Sequence, residues 1–487
     1  MNITTPSWIH NAVFYQIFPD RFARSSRTPH PRGIQFKPWG SDPAEQGFQG
    51  GDLYGIVEKL DYLKDLGITA LYLNPIFTSA ANHRYHAFDY MAVDPLLGGN
   101  AALRELLDQA HARGIRIVLD FVPNHASRGF WPFHHILENG GNSPYLDWFY
   151  IKKWPLRPYN SSKRHPPNYA AWWNNAALPK INVLNPGARD YLMGVARHWL
   201  EFGIDGWRID VAEEIDDDSF WRELRQLVKS TNPEAYIVAE IWHEAKHWLQ
   251  GDMFDAVMNY FVGKAAVSFF ASKTLNPGFQ HPDYALKPIK AKGFAKQIDT
   301  FLEFYDWQIN LAQLNMIGSH DTPRALWLMG EDKSALRLSI LFQMTIPGAP
   351  NIYYGDEIGM TGAGDPDCRR AFPWDQPETW DHSLREYYKQ AIALRHAHPV
   401  LRTGGYADLY AKGNVIAYGR RLETSEAIIA FNAGDKSHKI SVPLDGLETQ
   451  SYQQAWPVND NYHFQPRNSK LSLKIPPRDG IVLISNL

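Results

Sequence analysis

The sequence predicts an α/β fold: a (β/α)8 TIM barrel with an excursion domain after strand 3 and a C-terminal antiparallel β-sandwich domain. Three observations point to it. Short apolar strand candidates alternate with segments of helical spacing from residue 13 to residue 354, and there are eight of them. A helix–strand–helix order implies a parallel sheet, and eight parallel strands close a barrel. The alternation breaks between Pro123 and about Asn185, where five tryptophans (Trp131, Trp148, Trp154, Trp172 and Trp173) and several prolines make a stretch too aromatic to stay unfolded. After about Leu401 the apolar period changes to two, the period of antiparallel strands. The expected division is 1–122 and 186–400 for the barrel, 123–185 for the excursion and 401–487 for the sandwich.

In order, Val13–Phe18 is the first strand, and residues 24–49, rich in Pro, Gly and Ser, form a long loop. Gly55–Leu66 has Ile56, Leu60 and Leu63 at helical spacing and Gly67 as its stop. Strand Ile68–Leu73, a polar loop through Tyr85 and Asp89, helix Ala101–Arg113 and strand Ile115–Val122 follow. Beyond the excursion, helix Ala188–Phe202 precedes strand Gly206–Asp210, and helix Ser219–Ser230 precedes strand Ala235–Ile241. Strand Ala256–Tyr260, a mixed stretch to Trp307 and strand Leu314–Ser319 come next. Helix Ser334–Met344 leads to the eighth strand, Ala349–Tyr354, and a long helix at Ser383–His396. Val415–Gly419, Ala427–Asn432, Ile440–Val442 and Ile481–Ile484 carry the period-two pattern.

Composition excludes several functions. Lys+Arg 49 against Asp+Glu 52 gives no electrostatic basis for binding nucleic acid or an anionic membrane. No run of eighteen apolar residues is present to span a bilayer. No positive end followed by an apolar run marks a secretory signal. The single cysteine, Cys368, excludes an internal disulfide framework and a cysteine-built zinc site, and it fits a reducing compartment, so a cytoplasmic location is expected. The 17 Trp, 24 Tyr and 25 Phe fill cores, but in such number they also suit stacking on sugar rings.

Ligands of a parallel barrel meet the carboxyl ends of its strands. Those ends read Asp120-Phe121-Val122-Pro123-Asn124-His125, Arg208-Ile209-Asp210, Glu240-Ile241-Trp242-His243 and Ser319-His320-Asp321-Thr322, with His83-Arg84-Tyr85 from the loop after strand two. Singly, each residue caps a helix, satisfies a core hydrogen bond or packs. Together they put several carboxylates at one rim, where like charges repel and raise one another's pKa, an arrangement that stability does not require and chemistry uses. Glycoside hydrolysis with retention needs an ionised carboxylate to attack the anomeric carbon and a protonated one to release the leaving oxygen, and neighbouring strands hold two such groups close enough. Arg208, two residues from Asp210 and so on the same side of the strand, is expected to hold Asp210 ionised as the nucleophile. Glu240, flanked by Ala239, Ile241 and Trp242, has the apolar surroundings that favour a protonated acid. Asp321 is left to bind sugar hydroxyls.

These segments resemble, in order and on the expected strands, the four signature regions of the α-amylase family of glycoside hydrolases: Asp120–His125, Gly206–Asp210, Ala239–Trp242 and Gly318–Asp321. The resemblance covers nearly the whole chain. It implies Asp210 as nucleophile, Glu240 as acid/base and Asp321 as transition-state stabiliser. It also implies His125, Arg208 and His320 around the sugar at the cleavage point, with Tyr85 as its platform beside His83, and Asp365 with Arg369 on the next sugar. Leu178-Pro179-Lys180-Ile181-Asn182, Glu240-Ile241-Trp242-His243 and the segment Gly251–Tyr260 are similar to the neopullulanase, cyclomaltodextrinase and maltogenic amylase group, which implies action on cyclodextrins, pullulan and short maltodextrins, with Trp242 at the substrate. An α-1,6 debranching enzyme and a 4-α-glucanotransferase are the alternatives on the same site.

Three departures from that group matter. The chain begins about a dozen residues before its first strand, so the group's N-terminal β domain is expected to be absent, leaving a monomer or a homodimer built by another surface. The loop Ala23–His30 has Arg24 and Arg27 where relatives carry calcium-binding Asn and Asp, so no metal is expected there, and no cofactor is expected at all. Glu213 stands where the group has Asn, ahead of Glu214. It is read as a first-turn acid favoured by the helix dipole, and Glu214 as functional.

Overall fold

The computed structural model describes residues 3–162, 164–444 and 451–486. At its centre eight parallel strands close a barrel: β1 (Phe14–Ile17), β2 (Ala70–Leu73), β3 (Arg116–Phe121), β4 (Gly206–Ile209), β5 (Tyr236–Ala239), β6 (Ala256–Asn259), β7 (Leu314–Met316) and β8 (Ala349–Tyr353). Each pairs with its neighbours in chain order, and β8 returns to β1. All strand residues except Arg116 are buried, as parallel strands covered by helices must be. The register decides the chemistry. Asp120 lies beside Arg208, and Ile209 beside Ala239, so Asp210 and Glu240, each one residue further on, leave the barrel side by side.

Helix boundaries follow local chemistry. Ahead of β4, the Asn185 side chain accepts from the Ala188 N–H, Pro186 occupies the first turn, and left-handed Gly203 (φ 110°) ends the helix Pro186–Phe202. The single helix expected over 55–66 is instead two, Leu53–Glu58 and Leu60–Leu66, broken at Lys59. The break lets Leu53 and Ile56 on one segment, and Leu60, Leu63 and Leu66 on the other, all reach the core. The mixed stretch before Trp307 contains helices Tyr260–Phe270 and Ala291–Phe304.

Between β3 and the helix Pro186–Phe202 the described residues make the helix Trp131–Asn139, short 3-10 turns and isolated antiparallel bridges. Phe130, Phe133, Phe149 and Tyr169 are buried there, and the Phe133 ring lies 5.0 Å from both Phe149 and Tyr169.

The C-terminal region is antiparallel: β9 (Gly405–Lys412), β10 (Val415–Leu422), β11 (Ser425–Asn432), β12 (His438–Pro443), β13 (Tyr452–Trp456), β14 (Asn459–Phe464), β15 (Lys470–Ile475) and β16 (Asp479–Asn486). Six strands form a sheet in the order β9-β10-β11-β16-β13-β14, and β12 pairs with β15 as a second layer. Alternation along β10 explains the layering. Val415 and Ala417 pack with Ile440, Val442, Leu471 and Leu473 between the layers, while Ile416 and Tyr418 join the barrel core.

Candidate active site

Arg208 is fully buried at the end of β4 and ties the centre together. Its Nη1 donates to Asp210 Oδ1 at 2.7 Å and to Asp120 Oδ1 at 3.0 Å. Its Nη2 lies 2.8 Å from Glu240 Oε2, a charge contact rather than an aligned hydrogen bond. Burial works against the guanidinium's charge, but Asp120 and Glu240 outweigh it and hold the proton firmly.

Two expectations about the carboxylates are corrected. Arg208 was to keep Asp210 ionised, but it is shared among three carboxylates. Burial is the larger influence and pushes the Asp210 carboxyl well above its usual range; Arg208 pulls it down, while Glu240 and Asp120 push it up again. The cluster therefore titrates as a unit. Glu240 was to sit in apolar surroundings, yet its Oε1 accepts from Trp242 Nε1 and its Oε2 from the Val211 N–H, both at 3.0 Å. Ala239 and Ile241 are buried in the core instead of around the carboxyl. Val211 reaches Glu240 from a left-handed conformation (φ 39°, ψ 49°), a costly one for a β-branched residue, so backbone strain sits between nucleophile and acid candidates.

The remaining residues arrange around this core. Asp120 Oδ2 accepts from the hydroxyls of Tyr72 at 2.7 Å and Tyr85 at 2.8 Å. The Tyr85 hydroxyl is 2.6 Å from His320 Nε2, and the two rings are nearly parallel at 4°. Gln16 Nε2 donates to His320 Nδ1 at 2.7 Å, which leaves the proton of the neutral ring on Nε2, facing Tyr85 and Asp321. Burial, then Arg369 and Arg208, keep His320 neutral. Asp321 lies 3.1 Å from His320 Nε2 and 3.5 Å from Arg369. Burial and the Glu240 charge push its carboxyl up to about 7 against the pull of Arg369 and Arg208. Asp365 pairs with Arg369 at 2.9 Å, and Arg369 Nε donates to the His320 carbonyl at 3.0 Å. Trp242 stacks on Tyr260 at 3.9 Å. His83 supports Tyr85, accepting its N–H at 3.2 Å and lying against its ring. His125 is less tied to the cluster: its Nδ1 is 3.3 Å from Asn124, its ring stacks on Trp172, and burial pulls its pKa down to about 3.

The acidic segment after Asp210 starts no α-helix. It makes one 3-10 turn, Ala212–Glu214, so the dipole argument for Glu213 lapses. Glu213 binds His243 Nε2 at 2.5 Å instead, and Glu214 accepts from Lys180 through its carbonyl at 2.6 Å. Asp120 was seen in sequence without a role. Tyr72, Gln16, Val211 and Trp172 were not singled out, because their partners come from other strands.

Paired carboxylates held by one guanidinium, with neutral histidines and aromatic rings beside them, are equipment for acid–base and nucleophilic work on a polyhydroxylated ring. The family profile described as alpha amylase, catalytic domain, matches residues 16–381, and the alpha-amylase C-terminal domain profile matches residues 404–483. The chain belongs to the α-amylase family. This α-amylase family chain is 43% identical over 98% of its length to a cyclomaltodextrinase of Geobacillus thermopakistaniensis, covering 77% of that protein. It is 41% identical over 99% of its length to neopullulanase 2 of Thermoactinomyces vulgaris, covering 78% of it. Among solved structures, the Nostoc punctiforme debranching enzyme soaked with acarbose superposes with a TM-score of 0.89 at 46% identity, over 99% of this chain and 100% of that one. Membership of the α-amylase family makes the protein a glycosidase.

Proposed function

We propose that the enzyme is a retaining α-glucan hydrolase acting on maltodextrins, cyclodextrins or pullulan by double displacement. The observation that carries this is the contact of one buried guanidinium, Arg208, with both Asp210 and Glu240. It sets a nucleophile and an acid on either side of one fixed charge. With the proton of the cluster on Glu240 and Asp210 ionised against Arg208, Asp210 attacks the anomeric carbon while Glu240 gives its proton to the leaving oxygen, so the glycosidic bond breaks as a glycosyl ester forms. Glu240 then takes a proton from water, whose oxygen displaces Asp210 with the configuration restored. Trp242 and Val211 hold the two Glu240 oxygens through both steps. Asp321, protonated up to about pH 7 in the free site, is placed to bind ring hydroxyls with His320, and Tyr85 to stack beneath the ring. Asp365 and Arg369 take the next sugar on the non-reducing side, and His83 and His125 flank the ring. Residence in the cytoplasm belongs to this reading through the lone cysteine.

A second reading, α-1,6 debranching, is favoured by the debranching enzyme of Nostoc punctiforme, which matches this chain end to end. A 4-α-glucanotransferase would use the same residues. Product analysis on pullulan, with Asp210→Asn as blank, separates them. Panose means α-1,4 cleavage, maltotriose means α-1,6 cleavage, and longer products from maltodextrin alone mean transfer.

A further inference from the structure

The excursion between β3 and β4 carries a small hairpin. Ala171 bridges to Pro179 and His125 to Lys180, and Trp172, Trp173 and Asn174 form the tip. Trp173 (φ 51°, ψ 26°) and Asn174 (φ 55°) are consecutive left-handed residues, a conformation that Asn tolerates and Trp disfavours. It turns the Trp173 indole outward, 79% exposed, the most exposed large hydrophobic side chain among the described residues. Its inner face lies on Trp172 at 4.4 Å, and Trp172 lies on His125 at 4.9 Å, so three near-parallel rings run from the active site to the surface. Buried His125 Nε2 and Trp172 Nε1 have no hydrogen-bond partner among the described residues, and hydroxyls of a bound ligand would satisfy them. On its other side the hairpin is fixed by Lys180, whose Nζ donates to the Glu214 carbonyl at 2.6 Å. Trp173 thus lies on the connection from β3 to β4, tied to the turn after β4, whereas Asp365 and Arg369 follow β8, which is not a neighbour of β3 or β4 in the barrel.

We infer that Trp173 is a sugar-stacking platform on the reducing-end side of the cleavage point, taking a pyranose ring of an α-glucan long enough to leave the cleft there. The inference rests on the α-glucan reading and adds a site to it. An open indole face matches the C–H face of a pyranose, and the exposed Asn174 amide beside it matches the ring's hydroxyls. A core role would bury the ring, and a docked protein would need far more contiguous apolar surface than one indole.

The test compares maltoheptaose with maltotriose in the unchanged enzyme, Trp173→Asn and Trp173→Tyr. Asn accepts the left-handed backbone, so the variant folds, and Tyr keeps a stacking face. Trp173→Asn is expected to lower kcat/KM on maltoheptaose about tenfold, through KM, and with it the maltoheptaose-to-maltotriose ratio, while Tyr restores most of the loss. A structural role would instead lower kcat on both substrates, and equal loss in Asn and Tyr variants would also count against the platform. An unchanged ratio in Trp173→Asn overturns the platform and leaves the α-glucan reading standing. Failure of the unchanged enzyme to turn over either maltodextrin or pullulan overturns that reading and the platform together.

Discussion

Arg208 serves Asp120, Asp210 and Glu240 from one fully buried position, which only a planar, forked cation can do. Arg208→Lys is expected to lower kcat/KM on the order of 10²-fold or more, because an ammonium reaches fewer of these carboxylates and leaves others buried without a counter-charge. Glu240→Gln should cost about 10²–10⁴-fold and remove one limb of the pH profile; a two-limbed profile in that variant would rule out the acid/base assignment. Asp321 makes a pH prediction with a definite sign. Its folded pKa is raised from 3.8 to about 7, so the folded chain binds more protons than the unfolded one between those values, and this contribution to stability is lost as pH rises through that window. Asp321→Asn should therefore raise Tm by roughly 1–3 °C above pH 7 while lowering activity, and thermal scans at pH 5 and pH 8 should show the larger gain at the higher pH. Arg208 and Asp210 were legible in sequence because period two puts residues i and i+2 on one side of a strand. The surroundings of Glu240 were not legible, because its immediate chain neighbours point into the core and its real partners, Val211 and Arg208, come from β4 and the turn after it.

At the scale of elements, two loops are held by single side chains. After β1, Arg24 Nε donates to the Gln49 carbonyl at 2.5 Å and Nη2 to the Lys37 carbonyl at 2.7 Å, so a guanidinium joins the two ends of the loop. We expect Arg24→Ala to destabilise the chain by about 1 kcal/mol, and EDTA to leave Tm of the unchanged protein where it is; a chelator-induced fall would show a metal holding the loop. After β5, His243 meets Glu213 across the lip of the site. Burial lowers the imidazole pKa, but the hydrogen bond to the Glu244 carbonyl and the bond to and charge of Glu213 outweigh it and raise it above 6.5. The pair is thus present below the folded pKa and weakens as pH rises through it. In Glu213→Gln, the His243 titration followed by NMR should fall back toward 6.5, and no movement would mean the contact is absent in solution. Sequence spacing gave this element the wrong shape, a helix start in place of one 3-10 turn, because the acidic residues are spent on cross-loop partners rather than on a helix N-terminus.

For the whole molecule, the eight-strand order was legible because each parallel strand is buried on both sides and reads as an apolar run between helices. The C-terminal sheet was legible only in part. Gly405–Lys412 is an edge strand without a fully buried residue, so no alternation marks it. Nor could the sequence show how sheet and barrel are joined. Arg420, buried and pushed down to about 10 by desolvation, donates to the carbonyls of Gly404, Leu401 and Thr345, and Arg395, pushed down to about 9, donates to those of Leu401 and Gly348. Two guanidiniums thus share the Leu401 carbonyl at the seam, with the Tyr418 hydroxyl 2.6 Å from Thr345 beside them. Arg420→Met keeps much of the apolar stem but takes the guanidinium donors from the Gly404 and Thr345 carbonyls, Arg395 still serving that of Leu401, at a cost of about 2 kcal/mol or more. Since that cost falls on the seam and not on either core, calorimetry should show the unchanged protein unfolding in one transition and Arg420→Met in two, the first being the sheet region leaving the barrel. A single transition merely shifted downward would mean that the apolar contact of Ile416, Tyr418 and Phe431 with the barrel is enough to couple the two.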